Sequence, residues 1–68
     1  MIVYLEIWKN DNKLTGILDY DGKGFVPAVE DIIIGNYKNM AKEETFVHGK
    51  VFERLVNQNI IIIRINQF

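Results

Sequence analysis

The sequence predicts an all-β domain, and three observations carry that expectation. Eleven isoleucines and six valines make up a quarter of its 68 residues. Their branched side chains pack well on a pleated sheet but crowd the preceding turn of a helix. Apolar residues recur with period two in several segments, the alternation of half-buried strands. Clusters of Asn, Asp and Gly separate those segments, as tight turns require. With 49% hydrophobic side chains, no cysteine and a net charge of −1, residues 1–68 form a single domain near the lower size at which one core supports itself.

Taking the elements in order, Ile2 to Trp8 puts Val3, Leu5 and Ile7 on one face and Tyr4, Glu6 and Trp8 on the other. Lys9 to Asn12 is a turn, so a hairpin follows. Lys13 to Tyr20 is the second strand, with Leu14, Gly16, Leu18 and Tyr20 alternating against Thr15, Ile17 and Asp19, and with Gly16 at a bend or a close approach. Asp21 to Gly24 is the next turn. Phe25 to Ile34 is strand-like, but Pro27 cannot donate a ladder hydrogen bond and belongs at a strand start, edge or bulge. Val29 to Ile34 is therefore its firm part, and Gly35-Asn36 and Asn39 to Glu44 read as connections.

Thr45 to Val56 fits two patterns. As a helix, with Thr45 as N-cap, it aligns Val47, Val51, Phe52, Leu55 and Val56. As a strand it alternates Phe46, His48, Lys50, Phe52 and Arg54 against Val47, Gly49, Val51, Glu53 and Leu55. Gly49 weakens both. Asn57 to Asn59 is a tight turn, and Ile60 to Ile65 is a last strand, apolar on both faces at its start.

The composition excludes several kinds of chemistry. The chain has no serine or cysteine nucleophile and a single histidine, His48, so no enzyme is expected. The absence of cysteine also excludes a disulfide framework and an ordinary structural zinc site, and no cofactor is expected. No phosphate-binding glycine motif occurs. Asp19 to Glu30 resembles a twelve-residue calcium loop, but Lys23 stands where an oxygen ligand is needed and the flanks are not helical, so an Asp-Gly turn is the simpler reading. No apolar run approaches the roughly 18 residues of a membrane span, and Met1 leads straight into a strand, which together suggest a cytoplasmic protein without membrane contact. A net charge of −1 argues against long-range attraction to nucleic acid, although eight basic residues are spread widely enough to form a local basic surface.

Leu5 to Leu18, then Asp21-Gly22, then Val29-Glu30-Asp31 together resemble the first signature of the Sm and Sm-like RNA-binding proteins. Leu55 to Ile61 stands where their second signature would be. The resemblance implies a small, five-stranded, strongly bent antiparallel barrel of the SH3-like kind, assembling into a homo-oligomeric ring of about five to seven subunits that binds single-stranded RNA or DNA. It also departs from the family pattern. The initial helix is missing, Phe25 replaces the RNA-contacting asparagine and Lys23 the base-stacking residue. Val56 and Asn57 stand for arginine and glycine, and only Asn59 matches. On this reading Tyr20 or Phe25 offers a stacking face, Lys23 meets phosphate, and Asn57 or Asn59 reads a base edge. The same residues have simpler explanations: Phe25 as a core or interface aromatic, Lys23 as a solvated turn residue, Asn57 and Asn59 as turn formers.

Ring assembly also has a physical motive if the fourth and fifth strands are sheet edges, since four consecutive isoleucines on an edge would aggregate unless another subunit covered them. The alternative is an α+β protein-interaction module of inhibitor or immunity type with β-β-β-α-β topology, in which Thr45 to Val56 is a helix and no nucleic acid binds.

Overall fold

A computed structural model of the chain describes residues 2–10, 12–20 and 25–68. Five strands, and among the described residues no helix, form one strongly curled sheet: β1 (Ile2–Lys9), β2 (Lys13–Tyr20), β3 (Ile32–Lys38), β4 (Glu44–Val56) and β5 (Ile60–Gln67). The small bent barrel expected from the sequence is the observed architecture, and the β-β-β-α-β alternative is excluded because its helix is β4. Strand order is β2-β1-β5-β4-β3.

Three of the four pairings are antiparallel, but β1 and β5 run parallel, with Val3 beside Ile61 and Ile7 beside Ile65. The wholly antiparallel sheet expected from hairpins alone is corrected here. In a meander of five alternating strands the first and last point the same way, so bringing them together makes a parallel pair.

Val3, Leu5 and Ile7 of β1, Leu18 of β2, Ile33 of β3, Val47 and Val51 of β4, and Ile61, Ile63 and Ile65 of β5 form the core, and no described polar side chain is buried. Period two therefore decides β4. A helix would have buried Phe52, Leu55 and Val56 with Val47 and Val51, whereas Val47, Gly49 and Val51 line the interior in alternation. Gly49 is required by close approach: a Cβ there would lie 2.5 Å from the Asn66 carbonyl oxygen and 2.6 Å from Ile65 Cγ2. A bulge between Val51 and Glu53 then reverses the alternation, so that Glu53 and Leu55, expected opposite Phe46 and His48, share their outer face.

Two further expectations change. The bend at Gly16 is a bulge, where Thr15 Oγ1 donates to the Ile7 carbonyl at 2.9 Å, but a Cβ on Gly16 would meet open space, so no close approach exists. The third strand starts at Ile32, not Val29, because the Asp31 carboxylate accepts a hydrogen bond from the Ala28 N–H and closes a turn, with Glu30 at a φ of 82°. It also runs through Gly35-Asn36 to Lys38. Gly35 has a φ of 155°, which side-chain-bearing residues rarely adopt, and the Tyr37 ring packs 3.5 Å from where its Cβ would be.

The motive for a ring built on β4 and β5 does not survive. β5 is central, flanked by β1 and β4, and the edges are β2 and β3.

Candidate binding edge

β2 and β3 curl toward each other at the two ends of the sheet but meet through a single bridge, Leu18 to Asn39. Away from that bridge they part, leaving a groove of about 530 Å³ lined by Asp19, Tyr20, Phe25, Glu44 and the length of β3. Tyr20 and Tyr37 stack across its floor with ring centroids 6.0 Å apart. Burial, with the neighbouring Tyr20 adding to it, pushes the Tyr37 hydroxyl above the ordinary tyrosine pKa. Asp19, Glu44 and Lys38 give the groove mixed charge.

On the β3 side of this groove part of the backbone has no partner among the described residues. Phe68 N–H donates to the His48 carbonyl at 3.0 Å, so the polar main-chain groups of His48 face β5. Ile34, opposite His48 in the ladder, therefore directs its N–H and C=O away from β4, and by alternation Ile32 and Asn36 do the same. No described residue pairs with them. Ile32 and Ile34 are exposed on the outer face next to Phe46, and Ile34 keeps 61% of its surface in solvent. Among the described residues, the stretch Ile32 to Asn36 is an uncovered strand edge with an apolar rim.

The residues assigned a role from the sequence are distributed as follows. Tyr20 ends β2 and its hydroxyl donates to the Phe25 carbonyl at 2.7 Å, so these two are brought together. Phe25 is 67% exposed and is not a core aromatic; the neighbouring Val26 and Pro27 fill the interior instead. Lys23 lies outside the described residues. Asn57 and Asn59 are exposed in the β4–β5 turn, where Asn57 Oδ1 accepts from the Gln58 N–H at 2.7 Å and the Asn59 carbonyl accepts from the Ile2 N–H at 2.9 Å. Since Tyr20 pairs with Val3 and Val3 with Ile61, the turn and Tyr20 lie toward one end of the sheet, with Tyr20 and Ile61 about 10 Å apart across β1. No hydrogen bond joins them among the described residues.

Other polar side chains have structural partners. Arg64 donates from Nε to Glu6 at 2.9 Å and from Nη1 to Glu53 at 2.6 Å while lying 5.2 Å over the Trp8 ring. Its pKa is raised, first by the hydrogen bond to Glu53 and then by that to Glu6. Lys50 pairs with Glu30 at 3.3 Å, and His48 packs edge-on against Phe68. Among the described residues no group of three acidic, histidine or cysteine side chains could hold a metal ion, and no helix is long and apolar enough to cross a membrane.

Ile32, Ile34 and Tyr37 are groove residues that local sequence does not single out, because Gly35-Asn36 resembles a connection. The signal was present: Ile33, Gly35 and Tyr37 alternate against Ile32, Ile34, Asn36 and Lys38. No protein-family model matches the chain, and neither a curated protein nor a solved structure is significantly similar to it.

Proposed function

We propose that this chain is a non-catalytic protein-interaction module that receives an extended segment as an added strand along β3. The observation that carries this reading is the main-chain edge of Ile32, Ile34 and Asn36, which no described residue pairs, beside exposed Ile32, Ile34 and Phe46. Main-chain hydrogen bonds supply affinity in strand addition, and alternate side chains supply selectivity. Mixed charge in the groove and a net charge of −1 suit a peptide better than a polyanion. A fold closed without disulfides suits a reducing compartment such as the cytoplasm. Titration with a panel of synthetic extended peptides, followed by amide chemical shifts, tests it. Shifts confined to Ile32–Lys38 and Asp19–Tyr20 are expected; a panel that leaves these amides unmoved removes the reading.

One observation favours a second reading, the Sm-like one of a ring binding single-stranded RNA or DNA. The Phe25 ring is exposed near Tyr20, and Tyr20 lies toward the same end of the sheet as Asn57 and Asn59, where a base could stack and be read. Oligo-U or oligo-A should then bind, weaken with salt, and lose about tenfold in affinity in Phe25→Ala. No binding to either polymer at low salt removes it.

A further inference from the structure

We propose that the segment β3 accepts alternates apolar residues with glycine or alanine, and that Tyr37, folded over Gly35, enforces the small positions. The proposal rests on the strand-addition reading and names the class of segment that site takes. A strand laid along β3 sends successive side chains to opposite faces of the sheet, so its two sets of side chains meet different surroundings.

On the outer face, the positions beside Ile32 and Ile34 meet an apolar rim: these two residues and Phe46 keep 47%, 61% and 57% of their surface in solvent. An aliphatic side chain placed there covers surface that is otherwise wet. On the inner face, the position beside Gly35 is already occupied. The Tyr37 ring turns back along its own strand, with Cε2, Oη and Cζ 3.5, 3.7 and 3.8 Å from where a Gly35 Cβ would lie. Tyr20 stacks on that ring from the β2 side, so the pair spans the gap between the two strands. Both tyrosines and Val26 pack against the core. A strand neighbour of Gly35 sets its own Cβ about 5 Å from that same point, over the stacked rings. Glycine or alanine fits there, whereas a larger side chain must push the rings into a filled interior. The Leu18–Asn39 bridge closes one end of the groove, so the selected run is the one that faces Ile32 to Asn36.

Two end-blocked peptides with identical polar flanks test the proposal, one with a centre that alternates valine with alanine, the other with a centre that alternates valine with leucine. In the second, every register turns a large side chain inward. Titrated into the native chain and followed at the Ile34 and Asn36 amides, the alanine peptide should bind about tenfold tighter than the leucine peptide, although leucine is the more hydrophobic residue. Tyr37→Ala opens the inner face and should bring the leucine peptide level with the alanine one. Tyr37→Phe keeps the ring and should keep the preference. Should Tyr37→Ala fail to fold, the native chain and Tyr37→Phe decide the matter by themselves. A leucine peptide that binds the native chain equally or more tightly overturns the proposal, and so does a preference that persists in folded Tyr37→Ala. Edge amides that respond to both peptides alike leave strand addition standing without this selectivity, and edge amides that respond to neither remove both readings.

Discussion

Two isoleucine runs in this chain meet opposite fates. Ile60 to Ile63 opens β5, which has β1 on one side and β4 on the other, so Ile61 and Ile63 are buried in the core and Ile60 and Ile62 are half-covered by neighbouring rows. Ile32 to Ile34 opens β3, which has β4 on one side and the groove on the other; only Ile33 is buried. The residue type is the same and the local pattern nearly so. What differs is the number of neighbouring strands, and a single edge without a described neighbour converts isoleucine from core into exposed surface.

The largest test of that difference is a pair of truncations. Ile63→Ala removes a fully buried side chain and should cost about 2–5 kcal/mol in urea unfolding. Ile34→Ala, one strand type away in composition, should stay within about 0.5 kcal/mol for the monomer. Comparable losses at the two sites would mean that β3 is packed in solution in a way its exposure denies.

A second test probes the tight side of the sheet. Gly49→Ala forces a methyl against the Asn66 carbonyl and Ile65 on the strand beside it, an overpacking expected to cost about 1–3 kcal/mol. Gly16→Ala meets no atom within 4 Å and should be near neutral on that ground. Thermal melting of the two variants side by side separates the paired interior from the open β2 edge.

The smallest expected effect lies in the groove. The Tyr37 pKa is raised by burial, so the unfolded chain loses this proton at a lower pH than the folded one. The contribution of neutral Tyr37 is complete below the ordinary tyrosine pKa of about 10 and is lost as pH rises through the higher folded value. Tyr37→Phe should therefore flatten the fall in stability above that pH, measured by denaturant unfolding. An unchanged slope would mean that Tyr37 is solvated in the groove.

Much of the fold was legible locally. The alternation of Val3, Leu5 and Ile7 named the buried face of β1, and Asn57 to Asn59 gave the last turn, because both depend on contacts within a few residues. The β4 bulge was not legible, since it lies in the pairing of β4 with β5, whose register steps from Val51 to Glu53 and leaves the Phe52 ring 6.1 Å from that of Trp8. Of the residues singled out in the sequence, Tyr20 and Phe25 do meet, and the two asparagines lie toward Tyr20's end of the sheet. The β3 edge was hidden, because a strand that includes Gly35 and Asn36 is fixed by its pairing with Val47 and Phe46, far away in sequence.

By itself the sequence determined strands in four of the five segments, because β-branched composition, period two and turn chemistry act over short range, while Thr45 to Val56 fitted helix and strand alike until its pairing with β3 and β5 decided it. Tertiary structure decided which strands became edges. That choice depends on the parallel meeting of β1 with β5, a contact between the first and last strands, and it placed one isoleucine run in the core and left most of the other exposed.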